Sequence, residues 1–153
     1  MKRVVKKLID NNKTISVMES CTGGGIANAI TNIPDASKVI KFGAVTYSNE
    51  FKIKMGVQPE LINKYSVYSK EVARDMARNI CLFTNSNFGV GVTGKLKKVD
   101  ENNLIGENDI VFLSIYDLDD DKYYDIRIKL CFDNRVDNKK QIIEEFVNNF
   151  LKI

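Results

Sequence analysis

The chemistry open to this chain centres on Glu19-Ser20-Cys21-Thr22-Gly23-Gly24-Gly25. Successive glycines let the backbone approach a ligand, and a helix starting there presents N–H groups with partial positive charge. Such a turn stabilises an anion, either a bound phosphate or the oxyanion of an acyl transfer. Ser20 stands where a nucleophile sits on a strand-to-helix elbow. The same residues also suit a plainer role, in which Ser20 or Thr22 caps the helix and the glycines make a tight turn. Cys21 is a competing nucleophile, because a helix N-terminus lowers a thiol pKa. A cysteine beside a glycine turn is otherwise a small buried apolar residue.

No histidine occurs among the 153 residues. That excludes Ser-His-Asp and Cys-His catalysis within one chain, and any His-ligated metal. A base must then be Lys, Tyr, Asp, Glu or Cys. Tyr47-Ser48-Asn49-Glu50-Phe51-Lys52 follows a second strand as the serine turn follows the first. In a parallel pair both turns emerge at the carboxyl edge of the sheet, where open α/β folds bind ligands. Lys52 is the natural partner of Ser20, provided burial or a nearby cation lowers its pKa from ~10.4 to roughly 7–8. Tyr47 can donate a hydrogen bond or relay a proton. Taken alone, Lys52 reads as a solvated charge on a short helix.

Three further segments carry weaker signals. The run from Gly89 to Lys95 satisfies the first seven positions of a phosphate loop but continues into Leu96, so the usual magnesium ligand is missing and ATP hydrolysis is rejected. Thr93 and Gly94, at the end of that strand, can line the same cleft. The aspartates 117 and 119–121 lack the glycine and terminal glutamate of a calcium loop and read as a solvated hairpin turn. Arg135, at the start of the last helix, can reach a phosphate or carboxylate with a bidentate fork, while Lys139 and Lys140 read by default as surface charges.

The elements that must position these residues follow from periodicity and punctuation. Val4, Val5, Leu8 and Ile9 predict an opening helix, 14–18 a strand, 22–32 a helix and 42–47 a second buried strand. Ser48 caps a helix running to Met55, Pro59 starts a short one, and Ser69 caps a longer helix with Val72, Met76, Ile80 and Leu82 inward. Residues 88–93 form a third strand, the polar stretch 94–108 an exposed loop, 110–116 and 123–130 an antiparallel hairpin, and 135–151 an amphipathic helix. The expected fold is α/β: a three-layer α/β/α sandwich with a mixed, mainly parallel sheet ending in an antiparallel hairpin, one domain over residues 1–153.

Composition bounds the setting. An apolar content of 44% can build a real core, and a net charge of +3 is too small to imply a nucleic-acid partner. The longest apolar run, 110–116, is far short of the ~20 residues of a membrane helix. Three widely spaced cysteines suit a reducing compartment, so a cytoplasmic, soluble protein is expected.

Taken together, Met18-Glu19-Ser20-Cys21-Thr22-Gly23-Gly24, then Val45-Thr46-Tyr47-Ser48-Asn49-Glu50 with Lys52 and Met55-Gly56-Val57, then Val92-Thr93-Gly94, resemble the CinA C-terminal domain family, which includes nicotinamide-nucleotide amidases. The resemblance implies hydrolysis of nicotinamide mononucleotide to nicotinate mononucleotide and ammonia, by a serine nucleophile without metal or cofactor, in a homodimer. It puts the nucleophile at Ser20, the lysine at Lys52 and a site tyrosine at Tyr47. Substrate contacts fall on Cys21, Thr22, Gly23, Gly24, Thr93 and Gly94, and the substrate phosphate on Arg135. The departure comes after Gly94, where the family usually continues into an Ile-Ala-Gly-Pro and Gly-Gly loop and this chain reads Lys95-Leu96-Lys97-Lys98. If that loop closes over the nucleotide, its change implies weaker binding, another substrate, or a catalytically impaired nucleotide-binding or interaction module.

Overall fold

A computed structural model describes residues 1–97 and 105–153. In chain order the elements are α1 (Lys2–Asp10), β1 (Ile15–Glu19), α2 (Gly25–Thr31), β2 (Ile40–Val45), α3 (Asn49–Lys54), α4 (Pro59–Tyr65), α5 (Lys70–Thr84), β3 (Phe88–Gly94), β4 (Ile110–Asp117), β5 (Lys122–Lys129) and α6 (Arg135–Phe150). The strands form one sheet in the order β2-β1-β3-β4-β5. β1 pairs in parallel with β2 and β3, β3 and β4 are antiparallel, and so are β4 and β5. β4 alone therefore runs against the others, and the mixed, mainly parallel sheet with its closing hairpin is present.

Successive side chains of a strand point to opposite faces, and β1 divides the core accordingly. Val17 joins Val4, Val5 and Leu8 of α1, Ile26 and Ile30 of α2, and Ile142, Phe146 and Phe150 of α6 on one face. Met18 joins Val57, Val67 and the α5 residues Val72, Met76 and Ile80 on the other. Helices thus cover both faces.

The glycines of the discarded phosphate-loop pattern have a packing role. A Cβ added to Gly89 would lie 2.0 Å from the Ala77 carbonyl oxygen, and one on Gly91 2.2 Å from that of Ala73. The backbone of α5 rests directly on β3, and only glycine permits it. Gly91→Ala is expected to destabilise the fold by about 3 kcal/mol, because the obstacle is backbone that cannot rotate away; urea unfolding measures it.

Four expectations shift. Helix α2 starts at Gly25 rather than at residue 22, because Gly23 (φ +62°) and Gly24 (φ +90°) hold left-handed conformations that a right-handed helix cannot include. The second strand is an edge strand, not a buried one: β2 has a single neighbour, β1, and leaves Phe42 and Val45 exposed. Leu82 faces solvent, since the inward stripe of α5 passes through Ile80 and Cys81. Lys95 and Leu96, expected in an exposed loop, are buried. Residues 98–104 of that loop lie outside the described residues.

Candidate active site

The sheet topology brings three turns to one edge. Past the end of β1, Ser20 N–H donates to Val92 of β3 (3.1 Å), and Thr46 N–H, just past β2, donates to the Glu19 carbonyl (2.8 Å). The serine turn is therefore held from both sides by backbone. It is closed by Gly23 N–H donating to the Ser20 carbonyl at 3.0 Å.

Lys52 arrives by way of a helix cap. Ser48 Oγ accepts from Phe51 N–H, fixing the start of α3 one turn ahead of Lys52. That start aims the lysine back at the sheet edge. Lys52 is only 1% exposed, as deeply buried as Phe146 and Phe150 of the core. Its Nζ donates to Ser20 Oγ at 3.0 Å and to the Thr46 carbonyl at 2.8 Å. The lysine is not the solvated charge that its local sequence suggests. The predicted pairing of Ser20 with Lys52 is in place across 32 residues of chain. The Thr46 carbonyl holds the amine in place, and the Ser20 hydroxyl is a group it can exchange a proton with.

Cys21 takes no such position. It is buried in the core face shared by α1, α2 and α6. Burial pushes its thiol up to about 12 even though the charges of Lys52 and Arg135 act to lower it. At neutral pH it stays protonated, so the helix-terminus argument for a reactive thiolate fails here for want of water.

The start of α2 is also occupied. Glu19, fully buried, accepts from Ile26 N–H (3.0 Å) and Ala27 N–H (2.8 Å) with its two carboxylate oxygens. These are two of the amides expected to meet a ligand, and an internal anion satisfies them instead. Sequence reasoning assigned Glu19 no role; the available signal was a carboxylate within one residue of a glycine-rich turn opening a helix. Glu19→Ala is expected to lower stability by about 3 kcal/mol by stranding two amides in the interior, with Glu19→Gln intermediate; urea unfolding separates the two.

The remaining predicted residues divide into two groups. Thr22 is buried, and among the described residues its hydroxyl, like that of Thr46, has no hydrogen-bond partner. Both hydroxyls flank the Ser20 turn. Thr93 is buried and donates to the Val67 carbonyl at 2.9 Å, so its hydroxyl ties β3 to the segment ahead of α5 instead of lining an open cleft. Gly94 packs against Ile110 and Val111 of β4, where a Cβ would lie 2.6 Å from backbone.

Tyr47 and Arg135 meet outside the buried pair. Tyr47 is 64% exposed, and its hydroxyl accepts from Arg135 Nη2 at 3.2 Å. Asn134 caps α6, accepting from Asp137 N–H, and so sets Arg135 in the first turn beside Tyr47. Lys139, read from the sequence as a surface charge, is half-buried. Lys139, one turn further along α6, brings its Nζ to 3.3 Å from the point where a Cβ on Gly23 would sit. The i, i+4 spacing from Arg135 was its only sequence signal.

The family model of the CinA C-terminal domain matches residues 1–99. The chain belongs to the CinA C-terminal domain family. A relative from Alkaliphilus oremlandii, named as a competence-damage inducible protein, is 50% identical over 92 residues, covering 60% of this chain and 22% of that protein. A CinA-like protein of Endomicrobium trichonymphae is 46% identical over 88 residues, covering 57% and 21%. The matched stretch spans about a fifth of the length of these curated relatives. Among solved structures, the competence/damage inducible protein CihA from Agrobacterium tumefaciens aligns with a TM-score of 0.84 at 25% identity, over 98% of this chain and 88% of that one. A competence or damage-inducible protein from Enterobacter asburiae aligns at 0.87 with 18% identity, over 99% and 94%, which speaks for the fold alone. The CinA fold thus aligns over 98% of the chain, while the family match stops at residue 99, just after the Thr93-Gly94 motif. No helix among the described residues is long and apolar enough to cross a membrane.

Proposed function

We propose that this CinA-family chain is a nicotinamide-nucleotide amidase, with Ser20 as nucleophile and Lys52 as its base. The observation that carries the reading is the buried 3.0 Å contact between Lys52 Nζ and Ser20 Oγ in a chain without histidine. Taking a lysine amine out of water disfavours its charged form, which is how an amine becomes a base near neutral pH. The neutral amine removes the hydroxyl proton as Ser20 Oγ bonds to the carboxamide carbon. It returns that proton to the nitrogen, the C–N bond breaks, and ammonia leaves a nicotinoyl ester on Ser20. Water then attacks the ester with Lys52 again taking the proton, releasing nicotinate mononucleotide and restoring the serine. With Glu19 holding the amides of Ile26 and Ala27 and the Ser20 carbonyl holding that of Gly23, the oxyanion falls to the remaining amides of the turn ahead of α2. Arg135, steadied by Tyr47, lies outside the buried pair and suits the substrate phosphate.

The test is direct. The purified protein incubated with nicotinamide mononucleotide should release ammonia and nicotinate mononucleotide in equal amounts, and no release overturns the reading. A second reading, a nucleotide-binding module without turnover, is favoured by the end of the family match at residue 99. Calorimetric titration that gives tight nucleotide binding in a protein releasing no ammonia would select it.

A further inference from the structure

Three residues on one stripe of α6 meet the two turns of the site, Arg135 the one after β2 and Lys139 and Ile143 the serine turn. Arg135 donates to Tyr47, Lys139 lies against Gly23, and Ile143 lies against Gly25, where a Cβ would be 3.3 Å from its Cδ1. The four-residue spacing of a helix face produces this ladder. Ile142, Phe146 and Phe150, buried in the core, fix the rotation of α6, and Ile143 lies partly buried beside them. Lys140, next in sequence, points elsewhere and pairs with Asp137 at 2.8 Å.

The two cations lack what such residues ordinarily have. Like charges at i, i+4 repel and weaken a helix. Yet among the described residues neither Arg135 nor Lys139 enters an ion pair, although Lys6, Lys38, Lys54 and Lys140 all find a carboxylate within a turn of their own helix or loop. Gly23, meanwhile, is left without a side chain beneath Lys139 Nζ, so the ammonium is not screened from the turn. A lysine over a bare glycine turn, with Arg135 one helical turn away at Tyr47 and no carboxylate paired with either among the described residues, is a setting that suits an anion.

The geometry points to Lys139 as the second arm of a clamp that, with Arg135, takes the phosphate of the substrate over Gly23 and makes the phosphate a requirement. The inference rests on the amidase reading of Ser20 and adds to it a residue that selects nucleotide over nucleoside. A phosphate monoester dianion matches two separate cations, one with a planar fork and one a point charge. The unphosphorylated nucleoside carries the same carboxamide and sugar but leaves both cations unpaired.

The experiment compares kcat/KM for nicotinamide mononucleotide with that for its nucleoside. In Lys139→Met, which keeps the length of the lysine stem and removes the ammonium, the preference for the nucleotide should fall about 10- to 100-fold, carried mostly by KM, as expected for one charge-assisted hydrogen bond. Lys139→Arg should restore most of the preference, and Lys140→Met should leave it at the wild-type value. An unchanged preference in Lys139→Met, or an equal loss on both substrates, overturns the clamp. Should the wild-type protein hydrolyse neither substrate, the amidase reading fails by itself. The clamp is then decided by calorimetry with the nucleotide and with inorganic phosphate: weaker binding in Lys139→Met sustains it, and equal binding ends it.

Discussion

Ser20→Ala is expected to lower ammonia release from nicotinamide mononucleotide by roughly 10⁴- to 10⁶-fold, the loss seen when a nucleophile is removed from a unit that acts together. The hydroxyl is the acceptor of the Lys52 contact and lies at the end of β1, where backbone bonds from Ser20, Thr46 and Gly23 hold the turn without help from the side chain. The variant should therefore fold, and circular dichroism with nucleotide calorimetry would show an intact protein that binds and does not turn over. Cys21 offers no rescue, since burial pushes its thiol up to about 12 and no thiolate is present at neutral pH. Activity within tenfold of wild type in Ser20→Ala would remove serine from the mechanism.

Lys52→Met should cost about 10²- to 10⁴-fold in kcat, the range for a positioned general base. Methionine fills the space of the lysine stem, so a nearly native unfolding midpoint is expected, and the loss is one of proton transfer rather than packing. The sign of the pH dependence follows from the role. A base works as the neutral amine, so wild-type kcat/KM rises with pH as Lys52 loses its proton, and that rising limb vanishes in Lys52→Met. If the limb persists in the variant, the titrating group is another residue and Lys52 serves only to position Ser20.

Much of this architecture was legible because it is local. Ser48 and Ser69 announce the helices they cap, and the cap bonds to Phe51 and Val72 are present. The hairpin from β4 to β5 needed only two strand-length segments and a polar turn, which the aspartates provide. The glycine turn after β1 was legible as a turn, yet not in its details. Gly23 and Gly24 delay α2 to Gly25, and Glu19 rather than a ligand meets its first amides. The state of a buried carboxylate depends on what folds over it, which no local pattern records.

Other features resisted a reading by sequence because they depend on neighbours far along the chain. β2 has the apolar composition of a central strand, but its place at the sheet edge is decided by β1 pairing with β3 on its other side. Gly89 and Gly91 suggest phosphate contact until α5 is seen resting its carbonyls on them. Cys21 and Ser20 are adjacent residues with opposite fates, one facing the core and one facing Lys52.

By itself the sequence determined the vocabulary of this protein. The absence of histidine removed most nucleophile–base pairs, the Ser20 turn and the Tyr47–Lys52 segment named the survivors, and their motifs identified the CinA family. The tertiary structure decided which of those residues meet. Two parallel strands side by side carry Ser20 and Lys52 to one edge, and helix packing brings Lys139 over Gly23 from the far end of the chain. The physical reason is that burial and charge neighbourhood belong to space rather than to sequence. The solvated or buried state of a lysine, and so its chemistry, is set by what packs around it.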